Sequence, residues 1–247
     1  MSGHSKWASI KHKKGAVDAR RGKLFSKLAK EIIIAAKQGG DADKNARLRT
    51  AIQSAKSANM PNDNIERAIK RGTGELEGVN YEELTYEVYG PGGVAILIEI
   101  LTDNKNRTAS EIRALLGRKG GSIAGSGSVA WLFEKKGLIR VGNDKTDEDT
   151  LFSVVIDAGA DDINAEPDAF EIVCEPENFE AVKKAISEGN IETEMSEITF
   201  IPKNTIRVEG KEARRVLSLV EMLEDHDDIQ NVYANFDIPD EILDEIA

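Results

Sequence analysis

Between Arg20 and Lys37 the apolar positions recur at helical spacing. At about 100° per residue, Leu24, Phe25, Leu28, Ile32, Ala35 and Ala36 share one arc of roughly 120°, while Lys23, Lys27, Lys30 and Lys37 lie opposite with Arg20 beside them. The segregation has two exceptions: Ile34 falls in the basic arc and Arg21 in the apolar one. Gly39-Gly40 stops this helix. A second is expected over Asp41 to Ser57, with acidic residues in its first turn and Leu48, Ala51, Ile52 and Ala55 on one face. Turn and cap formers from Asn59 to Asn64 then open a short third helix carrying Ile65, Ala68 and Ile69 inward and Arg67, Lys70 and Arg71 outward, ended by Gly72.

Beyond residue 78 the period shortens. Runs at Leu84–Tyr89 and Val94–Leu101 flank Gly90-Pro91-Gly92-Gly93 and read as a hairpin. Thr108-x-x-Glu111 is read as a capping box opening a helix to about Leu116, and Ser128–Phe133 as a strand. From Gly137 to Pro202 the pattern is β-α-β-β-α-β, the order of a ferredoxin-like plait. The tail adds one helix, Lys211–Glu224, and one strand, Ile229–Phe236, the two elements that the ββαβ run lacks. The expected fold is a multidomain α and α+β protein: a three-helix domain (1–78), then two ferredoxin-like αβ modules, one (137–202) inserted in the other (79–136 plus 203–247).

Charge divides the chain more sharply than hydropathy. Residues 1–74 hold 17 Lys or Arg against 6 Asp or Glu, and the rest 16 against 38, so a basic domain precedes an acidic remainder. Within Ser2–Lys37 alone there are ten cationic residues and two acids, Asp18 and Glu31. Such a concentration pairs with a polyanion, because each phosphate neutralised releases condensed counterions. The apolar runs are too short to cross a bilayer and the amino terminus has no apolar signal stretch, so a cytoplasmic protein is expected. The single cysteine, Cys174, lies in a strand-like run and reads as a packed thiol.

Candidate chemistry is sparse. Gly117–Ser128 is glycine-rich, but it follows a helix and leads into a strand, the reverse of a nucleotide loop, and reads as a connector. Asp225-His226-Asp227-Asp228 has cation-binding residue types. Among the ten acids of Glu221–Ala247, with no Lys or Arg, it reads as a solvated negative surface. His4 and His12 lack a ligand cluster between them and suit phosphate or base contacts better than zinc. Asn106-Arg107-Thr108 matches a glycosylation acceptor that a cytosolic chain never presents to that machinery. No nucleophile motif stands out, so neither catalysis, nor a metal, nor a cofactor is expected.

The stretches GHSKWASIKHKKG (Gly3–Gly15), DARRGKLFSKLAKEI (Asp18–Ile32), NMPNDNIERAIKRGTG (Asn59–Gly74), GPGGVAILIE (Gly90–Glu99), DNKNRTASEIR (Asp103–Arg113) and GSV (Gly127–Val129) resemble the YebC/PmpR family. Its mitochondrial relatives include the translational activator of a cytochrome oxidase subunit. The resemblance implies a three-domain protein whose bacterial members are described as DNA-binding transcriptional regulators, with others implicated at the ribosome. The chain length fits a bacterial-type member.

Three readings of the basic domain follow. In the first it binds DNA, with Lys6, Lys11, Lys13 and Lys14 in an arm, and Arg20, Arg21, Lys23, Lys27 and Lys30 on the helix, contacting phosphates. His4, Trp7 and His12 would stack or hydrogen-bond. In the second, the same surface grips ribosomal RNA or tRNA. In the third, the basic domain docks on the acidic tail and the charge complementarity is architectural.

Overall fold

The computed structural model describes residues 18–239, 241 and 242, with side chains from Arg21 onward. Its first helix, α1 (Asp18–Ala36), crosses α2 (Ala46–Ser57) and α3 (Asn62–Gly72) around a core of Ile32, Leu48, Ala55, Met60, Ile65 and Ala68. Gly72 sits where α3 meets α1: a Cβ there would lie 2.4 Å from the Ile33 carbonyl oxygen and 2.6 Å from the Ala36 Cβ. Only glycine lets the two backbones approach this closely.

The expected acidic first turn of the second helix is absent. The helix starts at Ala46 because Asn45 caps it, accepting from the Leu48 amide at 3.0 Å. The Asn45 carboxamide also donates to the carbonyls of Ala35 and Gly39, both at 2.8 Å. One buried side chain thus serves the end of α1 and the start of α2, and residues 41–44 form a turn between them.

The middle module opens with the hairpin β1 (Glu82–Tyr89) and β2 (Ala95–Thr102), turned through Pro91–Gly93 with Gly92 and Gly93 at positive φ. Next come α4 (Lys105–Lys119) and the short β3 (Ser122–Ile123), which pairs with β1. The cap of α4 is Asn104, which accepts from the Arg107 amide at 3.1 Å; Thr108 is a buried residue inside the helix and not the start of a capping box. The chain then leaves this sheet and returns as α7 (Gly210–Glu224) and β9 (Ile229–Ala234), which pairs with the free edge of β2. The order β3-β1-β2-β9 carries α4 and α7 on one face over Ile96, Ile98, Ile100, Ile112, Val216 and Leu223.

Residues 128–132 do not form the expected strand. They make a turn and a 3₁₀ segment (Ala130–Leu132), because the Glu87 carboxylate receives the amides of Gly127, Val129 and Ala130 and bends them around itself. Burial acts to raise the Glu87 pKa, and these three amides outweigh it and leave it lowered. The strand begins at Phe133 and runs unbroken through Gly142 (β4).

With α5 (Glu148–Val155), β5 (Ala160–Ala165), β6 (Ala169–Cys174), α6 (Phe179–Glu188) and β7 (Met195–Pro202), β4 builds an antiparallel sheet of order β5-β6-β4-β7, the ferredoxin-like plait. Cys174 is buried in its core, where desolvation pushes the thiol pKa up. A short parallel pair, β8 (Ile206–Arg207) with β10 (Phe236–Asp237), ties the returning segment to the tail. The second face of the middle sheet, Ala95, Leu97 and Tyr233, packs on Val129 and Phe133, with Phe200 edge-on to Tyr233 at 5.1 Å.

Candidate nucleic-acid interface and a lysine clasp

Lys23, Lys27 and Lys30 stand at i, i+4 and i+7 on α1 and share one face. That face is seated on the end of α7 and the turn after it. Lys23 Nζ donates to the Asp225 carbonyl (3.1 Å), Lys27 Nζ to the Glu224 carbonyl (2.7 Å), and Lys30 Nζ to the Asp227 carbonyl (2.9 Å) and Asp228 Oδ1 (2.8 Å). A helix end leaves carbonyls without intrahelical partners and carries the negative end of the macrodipole. Three ammonium groups are well matched to it. Ile34, the apolar residue in the basic arc, is only 6% exposed, as expected for a face covered by the rest of the chain.

Asp228 is the centre of this clasp. Its carboxylate also accepts from Arg107 Nη2 (2.7 Å), Thr108 Oγ1 (2.8 Å) and Thr102 Oγ1 (3.3 Å). Burial acts to raise its pKa, but the hydrogen bonds from Lys30, Arg107 and Thr108 prevail and hold it well below the usual carboxylate range. The Asp228 amide donates to His226 Nδ1 at 3.1 Å, which leaves Nε2 as the protonated nitrogen facing Glu111 Oε2 at 3.0 Å. Asp225 and Asp227 are exposed, as a solvated negative surface requires, but Asp228 is buried and belongs to the clasp. Glu111, His226 and Asp228 do bring ligand-type atoms within 4.8 Å of one another. The positive charge at Asp228, however, is supplied by Lys30 and Arg107.

Other contacts strengthen the docking. Arg47 spans Glu31 (2.9 Å) and Glu83, and Lys37 Nζ donates to Asn80 Oδ1 (2.6 Å) and the Tyr81 carbonyl (2.7 Å). The Lys30 ammonium also lies 5.5 Å from the centre of the Tyr81 ring. Between the helical and middle modules remains a cleft of about 950 Å³, with Lys23, Arg71, Tyr81, Arg107 and His226 on its walls.

His4, Lys6, Trp7, Lys11, His12, Lys13 and Lys14 lie outside the described residues, and Arg20 lies in the first turn of α1 with its side chain undescribed. The exposed Arg21 guanidinium stands 5.6 Å from the Phe25 ring centre. Two groups gain importance only in three dimensions. Arg107, Thr108 and Thr102 converge on Asp228 from sequence positions more than a hundred residues away. The outer face of α3 presents Arg67, Lys70 and Arg71, all exposed and without an ion pair among the described residues. The sequence marked that row as basic, with nothing to set it above the lysines of α1.

The fold is that of a multidomain α and α+β protein in which a basic helical module is clasped to the middle αβ module and carries an open cationic row on α3. Residues 5–75 match the family model described as the TACO1/YebC protein N-terminal domain, and residues 81–236 match that of the TACO1/YebC second and third domain. The chain belongs to the TACO1/YebC family. It is 57% identical over 245 residues to a probable transcriptional regulatory protein of Desulforapulum autotrophicum, covering 99% of each chain. To another of Desulfatibacillum aliphaticivorans it is 58% identical over 246 residues, covering 99% of this chain and all of the relative. The crystal structure of a conserved hypothetical protein from Aquifex aeolicus superposes with a TM-score of 0.81 at 46% identity, covering 92% of this chain and 95% of that one. The fold is the one the family resemblance implied, and the relatives' names make the family one of regulators. No described helix is long and apolar enough to cross a membrane.

Proposed function

We propose that this protein is a non-catalytic, cytoplasmic regulator of gene expression that binds nucleic acid, duplex DNA in the first instance, through its N-terminal module. The observation that carries the reading is the row Arg67-Lys70-Arg71. It is cationic and exposed, free of carboxylate partners among the described residues, and set on the module in which Lys and Arg outnumber Asp and Glu, 17 to 6, while the rest of the chain is acidic. Arginine forks suit phosphate oxygens bidentately. The arm residues Lys6, Lys11, Lys13 and Lys14 add to the same basic domain, with Arg20 and Arg21 at the start of α1, and His4, Trp7 and His12 are its stacking or hydrogen-bonding groups. Lys23, Lys27 and Lys30 take a different part: they fix the module to the body, so that the open row is held in one orientation. The relatives' regulatory names favour DNA.

A second reading, an RNA or ribosome partner, is favoured by one specific feature. Trp131, 62% exposed, and Tyr89 both donate to the Ser128 carbonyl (3.1 and 3.3 Å) and stand beside a glycine turn held by Glu87. Exposed aromatic pairs are stacking platforms for unpaired bases.

The test is equilibrium binding of the intact chain to duplex DNA and to structured RNA across a salt series. If about six phosphates are engaged on the duplex, log affinity falls with log salt at a slope near about -5; a slope near zero overturns the proposal. Crosslinking in cells, with both DNA and RNA recovered and sequenced, then decides between the two polymers: enrichment of rRNA or tRNA over promoters overturns the DNA preference.

A further inference from the structure

A second, smaller concavity of about 220 Å³ runs between α1 and α3. Its floor is apolar, made by Phe25, Ala29, Met60 and Ala68, and its rim carries Asn64, Arg67 and Arg71; among the described residues no carboxylate lines it. Arg67 and Arg71 are one turn apart on α3 and reach the same side. Asn64 is exposed in the first turn of that helix, and its carboxamide makes no hydrogen bond among the described residues. An occupant that uses the whole groove is therefore apolar in its body, anionic beside it, and able to both donate and accept at its edge. A bare phosphate leaves the floor empty, a cation meets two guanidinium groups, and a fatty chain leaves the carboxamide without a partner.

We propose that this groove receives one unstacked nucleotide of a single-stranded nucleic acid. The inference rests on the nucleic-acid reading above and adds, beside the arginine row that a duplex can also use, a pocket open only to an unpaired strand. The base lies against the groove side of Phe25, a ring whose centre also has the Arg21 guanidinium 5.6 Å away. The Asn64 carboxamide offers one donor and one acceptor direction to the base edge, the pairing that amides make with adenine. Arg67 and Arg71 take the phosphates on either side. Duplex DNA keeps its bases stacked and can use the arginines but not the floor. The competing occupant is an acidic amphipathic peptide, such as residues 238–247 of a second copy. A peptide helix needs a row of anchor pockets at i, i+3 and i+4 spacing, and the groove, at about 220 Å³, is a single small concavity.

The test uses the intact chain and a short single strand, in ribo and deoxyribo forms, carrying one 2-aminopurine at its centre, together with the same sequence as a duplex. Binding is expected to raise the 2-aminopurine fluorescence, because the base leaves its neighbours. Asn64→Ala should lower single-strand affinity about tenfold and abolish that rise, with duplex affinity and melting temperature unchanged. Asn64→Asp, whose charge suits the first turn of a helix, should weaken single-strand binding at an equal or higher melting temperature. Arg67→Ala with Arg71→Ala should weaken both strand forms. A rise that survives Asn64→Ala, or an equal loss for single strand and duplex, overturns the inference. So does saturable binding of a synthetic 238–247 peptide that depends on Arg67 and Arg71 while the oligonucleotide is indifferent to them. If the unaltered chain binds neither strand form, the parent reading fails as well; if it binds and the groove variants do not matter, only the groove assignment fails.

Discussion

Two helix faces of the same module carry the same charge at nearly the same spacing and have opposite fates. Lys23, Lys27 and Lys30 on α1 are used up by carbonyls and a carboxylate of the returning tail, while Arg67, Lys70 and Arg71 on α3 stay in solvent. The side chains fit the two settings. Lysine is a compact charge with three donors, suited to a cluster of orphan carbonyls at a helix end, whereas arginine presents a planar fork. A row of cations on a helix is thus not a nucleic-acid site in itself: what lies opposite it in the folded chain decides whether it binds a polymer or the protein's own backbone.

The comparison predicts a sharp contrast between charge reversals. Lys23→Glu, Lys27→Glu and Lys30→Glu together set three carboxylates against the negative end of α7 and leave Asp228 with Arg107 as its one cationic partner among the described residues. Removing one partner of a buried pair costs about 3–5 kcal/mol, so urea unfolding should show at least that loss, together with release of the helical module as seen by limited proteolysis of residues 73–81. An unchanged unfolding midpoint would mean that the clasp is ornamental.

Gly72→Ala addresses the same module without touching charge. With its new methyl group within 2.6 Å of the Ile33 carbonyl and the Ala36 Cβ, it should cost about 1–3 kcal/mol by overpacking. Its unfolding should resemble that of the triple lysine variant in location, though not in salt dependence.

Acid should loosen the clasp more gently. The Asp228 pKa is lowered in the fold, so its contribution is complete above its ordinary value of about 3.9 and is lost progressively as pH falls toward the folded value. Stability of the Asp228→Asn variant should therefore fall less steeply than that of the parent below about pH 4, and an identical pH profile would remove Asp228 from the account.

The smallest stability effect belongs to the open face. Arg67→Glu, Lys70→Glu and Arg71→Glu together should alter stability by no more than about 0.5 kcal/mol per site. On duplex DNA the loss of three phosphate contacts should make the salt slope shallower by about 2.7. Equal polymer affinity before and after these changes would move the interface away from α3.

Much of this architecture was legible because local rules and global fold agree. The β-α-β-β-α-β order of the inserted plait, the Gly90–Gly93 turn and the tail's single helix and strand follow from periodicity and turn chemistry. The misses occurred where one side chain redirects the backbone. Asn45 starts α2 four residues after the expected acidic turn, Asn104 takes the cap expected of Thr108, and Glu87 gathers amides that turn a strand-like run into a 3₁₀ segment. Each of these depends on a partner that periodicity does not reveal. One signal for the clasp was present in the sequence: Ile34, an apolar residue amid the lysines, marks a face that is covered.

The chain by itself determined which residues are cationic, where most of the helices and strands lie, and that the excess of positive charge sits at one end, because these follow from residue chemistry and short-range geometry. Tertiary structure alone decided which cations are spent and which are available. That outcome depends on residues nearly two hundred positions apart meeting at Asp228, where backbone carbonyls with no sequence signature join a buried carboxylate as acceptors.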